Sequence, residues 1–257
     1  MNEIMNATLI PFVGTALGSA CVFFTKGHFS DKIKKALSAF AAGIMTAACV
    51  WSLIIPALNR SENLGRLAFV PCSAGIISGI LFLILLDRII VYVKTQCTKN
   101  ICSAKKKTSM LLLAVVIHNI PEGMAAGAVY AALMTGHGDI SHSVALALVI
   151  GISIQNFPEG AIISLPLRSS GMSRTKAFLC GILSAVAEAI GALITLAAAE
   201  LIVPVLPFML CFAAGAMLYV VVRELVPEFS TGDFCEICII IFSFGFAVMM
   251  ALDTALG

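Results

Sequence analysis

Eight long apolar stretches constrain the fold of this chain more than any other feature. A helix needs about 20 predominantly apolar residues to cross the roughly 30 Å hydrocarbon core of a bilayer. Stretches near or above that length lie at about residues 6–25, 36–58, 67–93, 110–135, 142–167, 174–200, 204–227 and 234–255. Polar or turn-forming residues separate them, so the sequence predicts eight transmembrane helices joined by short connections.

The composition supports a membrane protein without a separate soluble domain. Charged residues make up 12% of the chain, against about 25% in a typical soluble domain, and the mean hydropathy is +1.04. We therefore predict an all-α polytopic membrane protein with a single transmembrane domain over residues 1–257 and a cytoplasmic loop at about 94–109. The mean hydropathy predicts the lipid bilayer as partner, and the basic residues form no groove or stripe that would predict nucleic acid.

The Lys and Arg residues are concentrated in alternate connections between the predicted helices. Twelve of the 16 lie in the first-to-second, third-to-fourth and fifth-to-sixth connections. Arg60 and Arg66 lie in a connection on the opposite side. Because cytoplasmic loops are enriched in Lys and Arg, we predict a multi-pass protein of the cell membrane with these three connections in the cytoplasm and both termini extracellular.

Four ionisable side chains interrupt the apolar stretches near their middles. His118 and Glu122 lie in the fourth stretch, Glu159 in the fifth and Glu188 in the sixth. A charge at the bilayer centre costs about 3 kcal/mol even on the insertion scale, and no Lys or Arg at that depth offsets the three carboxylates. They must be protonated, hydrated in a cavity or bound to cations. The last two conditions are typical of a transport pathway.

A six-residue pattern occurs twice, as His118-Asn119-Ile120-Pro121-Glu122-Gly123 and Gln155-Asn156-Phe157-Pro158-Glu159-Gly160. Its first and fifth residues are four apart, so they project from one helix face. The asparagine lies one position on, about 100° around the helix, where it could serve an adjoining subsite. The copies are 37 residues apart, which is one helix plus a short turn. They are therefore predicted on antiparallel neighbours, at similar depth, facing one cavity.

Both copies of the pattern contain a proline in the middle of a predicted helix. Pro121 and Pro158 each remove a backbone hydrogen bond, which kinks a helix. The freed carbonyls, of Ile117 and Ile154, must be buried in protein or line a wet cavity. We therefore predict that kinked helices 4 and 5 line a metal site.

The side chains in these positions are an imidazole, carboxylates and amides. This mixture of nitrogen and oxygen suits Zn²⁺, Fe²⁺, Mn²⁺ or Cd²⁺ better than Cu⁺. We predict transport of such divalent ions, with the metal as substrate and no resident cofactor. An intramembrane metal-dependent hydrolase and a proton-coupled carrier of another solute are the alternatives. A zinc protease would contain His-Glu-x-x-His, which this sequence lacks, so we predict that the chain is not an enzyme.

Two close cysteine pairs fall outside this pattern. Cys97 with Cys102, and Cys235 with Cys238, could bind a soft metal or form disulfides. The predicted topology places both pairs at the cytoplasmic side, where reducing conditions disfavour disulfides.

Polar residues near the ends of the predicted helices have two interpretations. His137, Asp139 and His142 either form a simple polar turn or gather metal at the outer entrance. Glu224, near the cytoplasmic end of the seventh helix, either lines an exit or pairs with Arg223.

The paired motifs resemble the signature of the ZIP family of divalent metal transporters. The first copy matches His-Asn-x-Pro-Glu-Gly fully, and Gln155 in the second is typical of the GufA-type branch. Residues 41–45 and 52–57 are similar to helix 2 of that branch, and Glu188 falls where the family has its helix 6 carboxylate. The resemblance covers the whole chain. It implies import by alternating access with an elevator-like movement of one helix bundle, and it suggests a homodimer.

The resemblance also implies a two-metal site. Glu122 and Glu159 would bridge the two ions. The first ion would use these two with His118 and Gln155 and with the Met45 thioether nearby, and the second would use them with Asn119, Asn156 and Glu188.

This chain departs from the family pattern in three places. Some relatives have Asp where this chain has Asn156, so the second subsite loses one negative charge here. Some carry a helix 2 carboxylate where Leu53 stands, and some have clustered His in the third-to-fourth loop, which here contains none.

Overall fold

The chain folds into long helices packed side by side. The computed structural model describes residues 2–24, 30–98, 104–136, 140–232 and 234–256, without the side chains of 90, 93–98 and 104–118. Within this part no strand occurs, and eight long helices are present: α1 Asn2–Phe24, α2 Asp31–Arg60, α3 Phe69–Thr98, α4 Ala104–Thr135, α5 His142–Ser169, α6 Arg174–Ala197, α7 Ala199–Phe229 and α8 Cys235–Leu256. The all-α prediction is confirmed.

Seven of these helices, all except α4, are long and apolar enough to cross a membrane within the described residues. The least apolar of the seven, α5, still has a mean hydropathy of 1.5 over its best window. The chain is therefore a polytopic membrane protein, as predicted.

Helices α3 and α4 extend beyond the apolar stretches at about 67–93 and 110–135. The apolar pattern ends near residue 93 and resumes near 110, whereas α3 continues to Thr98 and α4 already begins at Ala104. Lysine and other straight-chain polar residues have good helix propensity. The helices therefore extend beyond their apolar segments, and residues 99–103 lie outside the described part.

Two helices contain a π-helical turn that ends two residues before a proline. In α2 the turn covers Cys49–Ile54 before Pro56, and in α7 it covers Val221–Leu225 before Pro227. A proline lacks the N–H that would bond four residues back. The residue before it bonds five residues back instead, from Ile55 N–H to the carbonyl of Val50 and from Val226 N–H to that of Val221.

Glycines allow close contact between four pairs of helices. A Cβ on Gly14 would lie 2.0 Å from the Ser153 carbonyl oxygen, which shows how closely α1 and α5 approach. Gly123 has the same role between α4 and α6, Gly79 between α3 and α7, and Gly43 between α2 and α8. Small residues at membrane helix interfaces permit such contact between backbones.

These contacts divide the bundle into two groups. Helices α1, α4, α5 and α6 pack on one another, and α2, α3, α7 and α8 form the second group. The two groups meet mainly where α2 contacts α5 and where α7 contacts α4. The motif-bearing helices therefore lie at the boundary between the groups.

Three polar contacts show which helix ends share a side of the bundle. Lys34 at the start of α2 forms an ion pair of 2.9 Å with Glu228 at the end of α7, and Lys35 donates to the Thr231 carbonyl oxygen at 2.6 Å. On the opposite side, His142 at the start of α5 lies 3.1 Å from Glu3 at the start of α1. The side of Lys34 and Glu228 is called the α2 side below.

Candidate metal site

The two copies of the motif lie within continuous helices. Pro121 is inside α4 and Pro158 inside α5, and each helix continues for at least ten residues on both sides of its proline. The predicted kinks stay predictions. His118 belongs to α4, but its side chain lies outside the described residues.

The polar side chains of the motifs are buried inside the bundle. Asn119, Glu122, Gln155 and Asn156 are each no more than 2% exposed, as is Glu188 on α6. Glu159 is half-buried. A buried carboxylate needs a partner that offsets its lost hydration, so these side chains require a specific reason to be here.

The three carboxyl groups lie within electrostatic range of one another. Glu122 interacts with both Glu159 and Glu188, and Glu188 interacts with Glu159. The Gln155 amide lies next to Glu122. Three helices thus bring three acidic groups together in an apolar bundle. Like charges at this separation repel, and a bound cation would convert that repulsion into attraction.

Asn156 connects α5 to two other helices. Its Nδ2 donates to Glu188 Oε2 at 2.6 Å and to the Pro11 carbonyl oxygen of α1 at 3.4 Å. Four buried oxygens of this cluster have no hydrogen-bond partner among the described residues: Glu122 Oε2, Gln155 Oε1, Asn156 Oδ1 and Glu188 Oε1. A buried polar atom without a partner costs about 1–3 kcal/mol. Oxygens of this kind are ligands for hard and borderline cations.

A cavity of about 80 Å³ adjoins this cluster. Its polar wall consists of Asn119, Glu122, Glu159 and Glu224, and its apolar wall is completed by Ile162, Ile163, Val220 and Leu225. A water molecule needs about 10–15 Å³ of such space, so the cavity can hold a partly hydrated ion. This wall contains no Lys or Arg.

The cavity extends from Glu122 and Glu159 toward the α2 side. Along α5 the wall runs from Glu159 to Ile163, and along α7 from Val220 to Leu225, both in the direction in which α7 approaches Glu228. Gln155 and Asn156 lie one turn of α5 on the other side of Glu159 and are not in the wall. The cavity therefore lies on the α2 side of the cluster.

Glu224 is the wall residue that the sequence left undecided between an exit and a contact with Arg223. It lies in the π-helical turn of α7, and it shares the cavity with Glu122 and Glu159. In a turn with hydrogen bonds five residues apart, Val220 and Leu225 share a face, and both line the cavity. In the sequence, the signal for this irregular turn was Pro227, two residues after it.

Met45 is placed differently from the carboxylates. It is fully buried in the main apolar cluster with Ala42 and Cys49, and it is not part of the cavity wall. Among the described side chains, no group of three or more His, Cys, Asp or Glu is arranged as a closed metal site. The described carboxylates therefore form an open cluster beside a cavity.

The glycine that ends each motif lets another helix pack closely against the motif. Helix α6 packs on Gly123 of α4, and α1 packs on Gly160 of α5. A Cβ on Gly123 would lie 1.9 Å from the Glu188 carbonyl oxygen. A Cβ on Gly160 would lie 2.3 Å from the Thr15 carbonyl oxygen of α1. The first contact brings the backbone of Glu188 against α4 beside Glu122, so the glycine positions a carboxylate on another helix.

The fold and this cluster define a polytopic membrane protein with acidic groups beside a cavity inside the bundle. A family profile described as ZIP Zinc transporter matches residues 96–253. The chain is 33% identical to zinc transporter ZIP11 of Xenopus tropicalis, over 97% of this chain and 96% of that protein. It is 32% identical to zinc transporter GufA of Myxococcus xanthus, over 98% of each. The chain belongs to the ZIP family.

A third relative is zinc transporter ZIPB of Bordetella bronchiseptica, 32% identical over 96% of this chain and 79% of that protein. The resemblance stated from the paired motifs is thus confirmed, with GufA among the relatives. These relatives carry the names of transporters, which agrees with the prediction that the chain is not an enzyme.

Proposed function

We propose that this protein carries divalent metal ions, zinc among them, through the cluster of Glu122, Glu159 and Glu188. The observation that carries the proposal is that Glu122 and Glu188 are buried and each has one oxygen without a hydrogen-bond partner among the described residues. Glu122 and Glu159 also line a cavity whose wall has no basic residue. Three relatives are named as zinc transporters, which supports zinc as a substrate. Cd²⁺, Fe²⁺ and Mn²⁺ are the other candidate substrates, because the ligands are mainly oxygen.

The proposed ligands form two adjoining subsites bridged by Glu122 and Glu159. His118 and Gln155 belong to the first subsite, with Met45 nearby. Asn119, Asn156 and Glu188 belong to the second. The hydrogen bond between Asn156 and Glu188 supports their common subsite, and the position of Gln155 next to Glu122 supports its place in the first.

We infer that α4 also crosses the membrane, which brings the number of spans to eight. The contact between His142 and Glu3 supports this, because α1 and α5 then begin on the same side. If α1, α2 and α3 each cross the membrane, the chain can return to that side only if α4 crosses as well. With the basic connections in the cytoplasm of a cell-membrane protein, both termini are extracellular and the α2 side is cytoplasmic.

The direction proposed is uptake into the cytoplasm by alternating access. The cavity extends toward the α2 side, as expected of a conformation that releases metal inward. Its wall is shared by α4 and α5 of one helix group and α7 of the other. A shift of one group against the other would therefore open or close access to the carboxylates.

Flux into liposomes containing the purified protein tests the proposal. We expect saturable uptake of Zn²⁺, with competition among Zn²⁺, Cd²⁺, Fe²⁺ and Mn²⁺. Absence of metal flux in a correctly folded preparation would contradict it. A different solute that competes with the metal would favour the alternative of a proton-coupled carrier.

Replacing Gln155 with His is expected to change the order of metal preference. The change adds an imidazole next to Glu122, and nitrogen ligands favour Zn²⁺ over Mn²⁺. Competition uptake with mixed ions in wild type and Gln155→His measures the order. An unchanged order would show that Gln155 is not a ligand, and Gln96→His, in the last turn of α3, controls for the added imidazole.

Replacing Asn156 with Asp is expected to make folding stability depend on bound metal. The change removes the amide donor to Glu188 and places a second carboxylate beside it. Without a cation, the lost charge-assisted hydrogen bond and the repulsion should lower the free energy of unfolding by about 2 kcal/mol or more. Thermal unfolding with and without Zn²⁺ measures this, and we expect Zn²⁺ to stabilise Asn156→Asp more than wild type. Equal stabilisation of wild type and Asn156→Asp by Zn²⁺ would show that Asn156 is not part of the metal site.

A further inference from the structure

A second polar cluster lies at the end of the bundle opposite the α2 side. It consists of Glu3 and Asn6 on α1, Tyr130 on α4 and His142 at the start of α5. His142 Nε2 lies 3.1 Å from Glu3 Oε1. Three helices of one packing group thus contribute polar side chains to a single point, at the end where α1 and α5 begin.

Two atoms of this cluster are buried without a hydrogen-bond partner among the described residues. One is Glu3 Oε2, and the other is the hydroxyl of Tyr130, a residue that is 0% exposed. The Tyr130 hydroxyl lies beside Asn6 and within electrostatic range of the Glu3 carboxylate. The contact between His142 and Glu3 thus leaves two buried oxygens nearby without a partner, and a bound cation would supply one.

We propose that this cluster is a separate divalent-cation site on the outer side of the protein. The Glu3 carboxylate and His142 Nε2 are its principal ligands, and the oxygens of Tyr130 and Asn6 are its neutral ligands. One imidazole with oxygen ligands is a set suited to Zn²⁺. The ion takes the position between Glu3 and His142 and gives the unpartnered Glu3 oxygen a partner.

The position of the site determines its role. It lies on the opposite side of Glu122 and Glu159 from the cavity, so an arriving ion reaches it before the buried carboxylates. Half of the His142 side chain is exposed, at 55%, while that of Glu3 is 28% exposed. The imidazole is therefore available to a hydrated ion, and the carboxylate beneath it receives the ion as water is lost.

Zn²⁺ binding to the purified full-length protein tests the proposal without relying on transport. The measurement is Zn²⁺ stoichiometry and affinity by equilibrium dialysis, in a Glu122→Ala, Glu159→Ala background that disables the buried site. We expect this background to retain one Zn²⁺ per chain. Adding His142→Gln or Glu3→Gln should weaken that binding by at least about tenfold, as losses of metal-site residues do.

Two further variants separate ligation from structure. Glu200→Gln changes an exposed carboxylate outside the cluster and should leave the retained Zn²⁺ unchanged. Tyr130→Phe preserves the ring in the core and should weaken the retained binding while leaving metal-free thermal unfolding unchanged. Zn²⁺ binding that is unaffected by both His142→Gln and Glu3→Gln, or absent from the background variant, would overturn the proposal. Failure of flux in wild type with retained outer binding would overturn only the proposed transport.

Discussion

Replacing either Glu122 or Glu159 with Gln is expected to reduce metal uptake to background. Both carboxylates face the same cavity, and the glutamine has nearly the same volume but no charge. Loss of a residue that merely supports a metal ligand costs about 10–100-fold. Loss of a carboxylate shared by two subsites should therefore cost more than about 100-fold. Initial uptake of Zn²⁺ into liposomes, normalised to the protein reconstituted, measures the effect.

The matched control removes a carboxylate that is partly exposed and lies outside the cavity wall. Glu228→Gln breaks the 2.9 Å ion pair with Lys34, an interaction worth about 0–1 kcal/mol, and should retain uptake within about twofold of wild type. All three variants should reach the membrane in similar amounts. Wild-type uptake in Glu122→Gln and Glu159→Gln together would rule out the proposed pathway.

Gly123→Ala is expected to destabilise the protein although alanine is the better helix former. The new Cβ would lie 1.9 Å from the Glu188 carbonyl oxygen, which belongs to the backbone of α6 and has no rotamer to adopt. Overpacking typically costs 1–3 kcal/mol, against a gain of about 1 kcal/mol in helix propensity. Because the contact is with backbone, we expect a net loss of about 2 kcal/mol or more, measured as a lower thermal midpoint.

Two other substitutions are comparisons for this effect, one in the same interface and one at an exposed position of α6. Gly127→Ala would place its Cβ 2.6 Å from the Ala192 carbonyl oxygen, so its loss should be smaller than that of Gly123→Ala. Ile190→Ala, on α6 but 50% exposed, should have little effect. Gly123→Ala should also reduce uptake, since separating α4 from α6 moves Glu188 away from Glu122. A thermal midpoint at or above that of wild type would contradict the close approach.

The helices themselves were predictable from local residues. Apolar length predicts membrane spans because the bilayer imposes a nearly constant crossing distance. The starts of α5 and α6 were predicted at the observed residues, His142 and Arg174. The end of α3 and the start of α4 were not predicted, because a helix can continue into water after its apolar segment ends.

The paired motif residues were predictable as a group for a related reason. Carboxylates in the middle of apolar helices are costly. Glu122, Glu159 and Glu188 can therefore be recognised as candidate functional residues from the sequence alone. Their burial and mutual proximity agree with that prediction. Their role as metal ligands stays a prediction.

The amino-acid sequence by itself determined the membrane class, the helices and the acidic residues, because each depends on local hydropathy and spacing. Only the tertiary structure decided that Glu224 joins the cavity, that Asn156 donates to Glu188 and that Glu3 meets His142. Each of these contacts connects residues far apart in the chain. They depend on which helices approach, and the glycine contacts between backbones decide that approach.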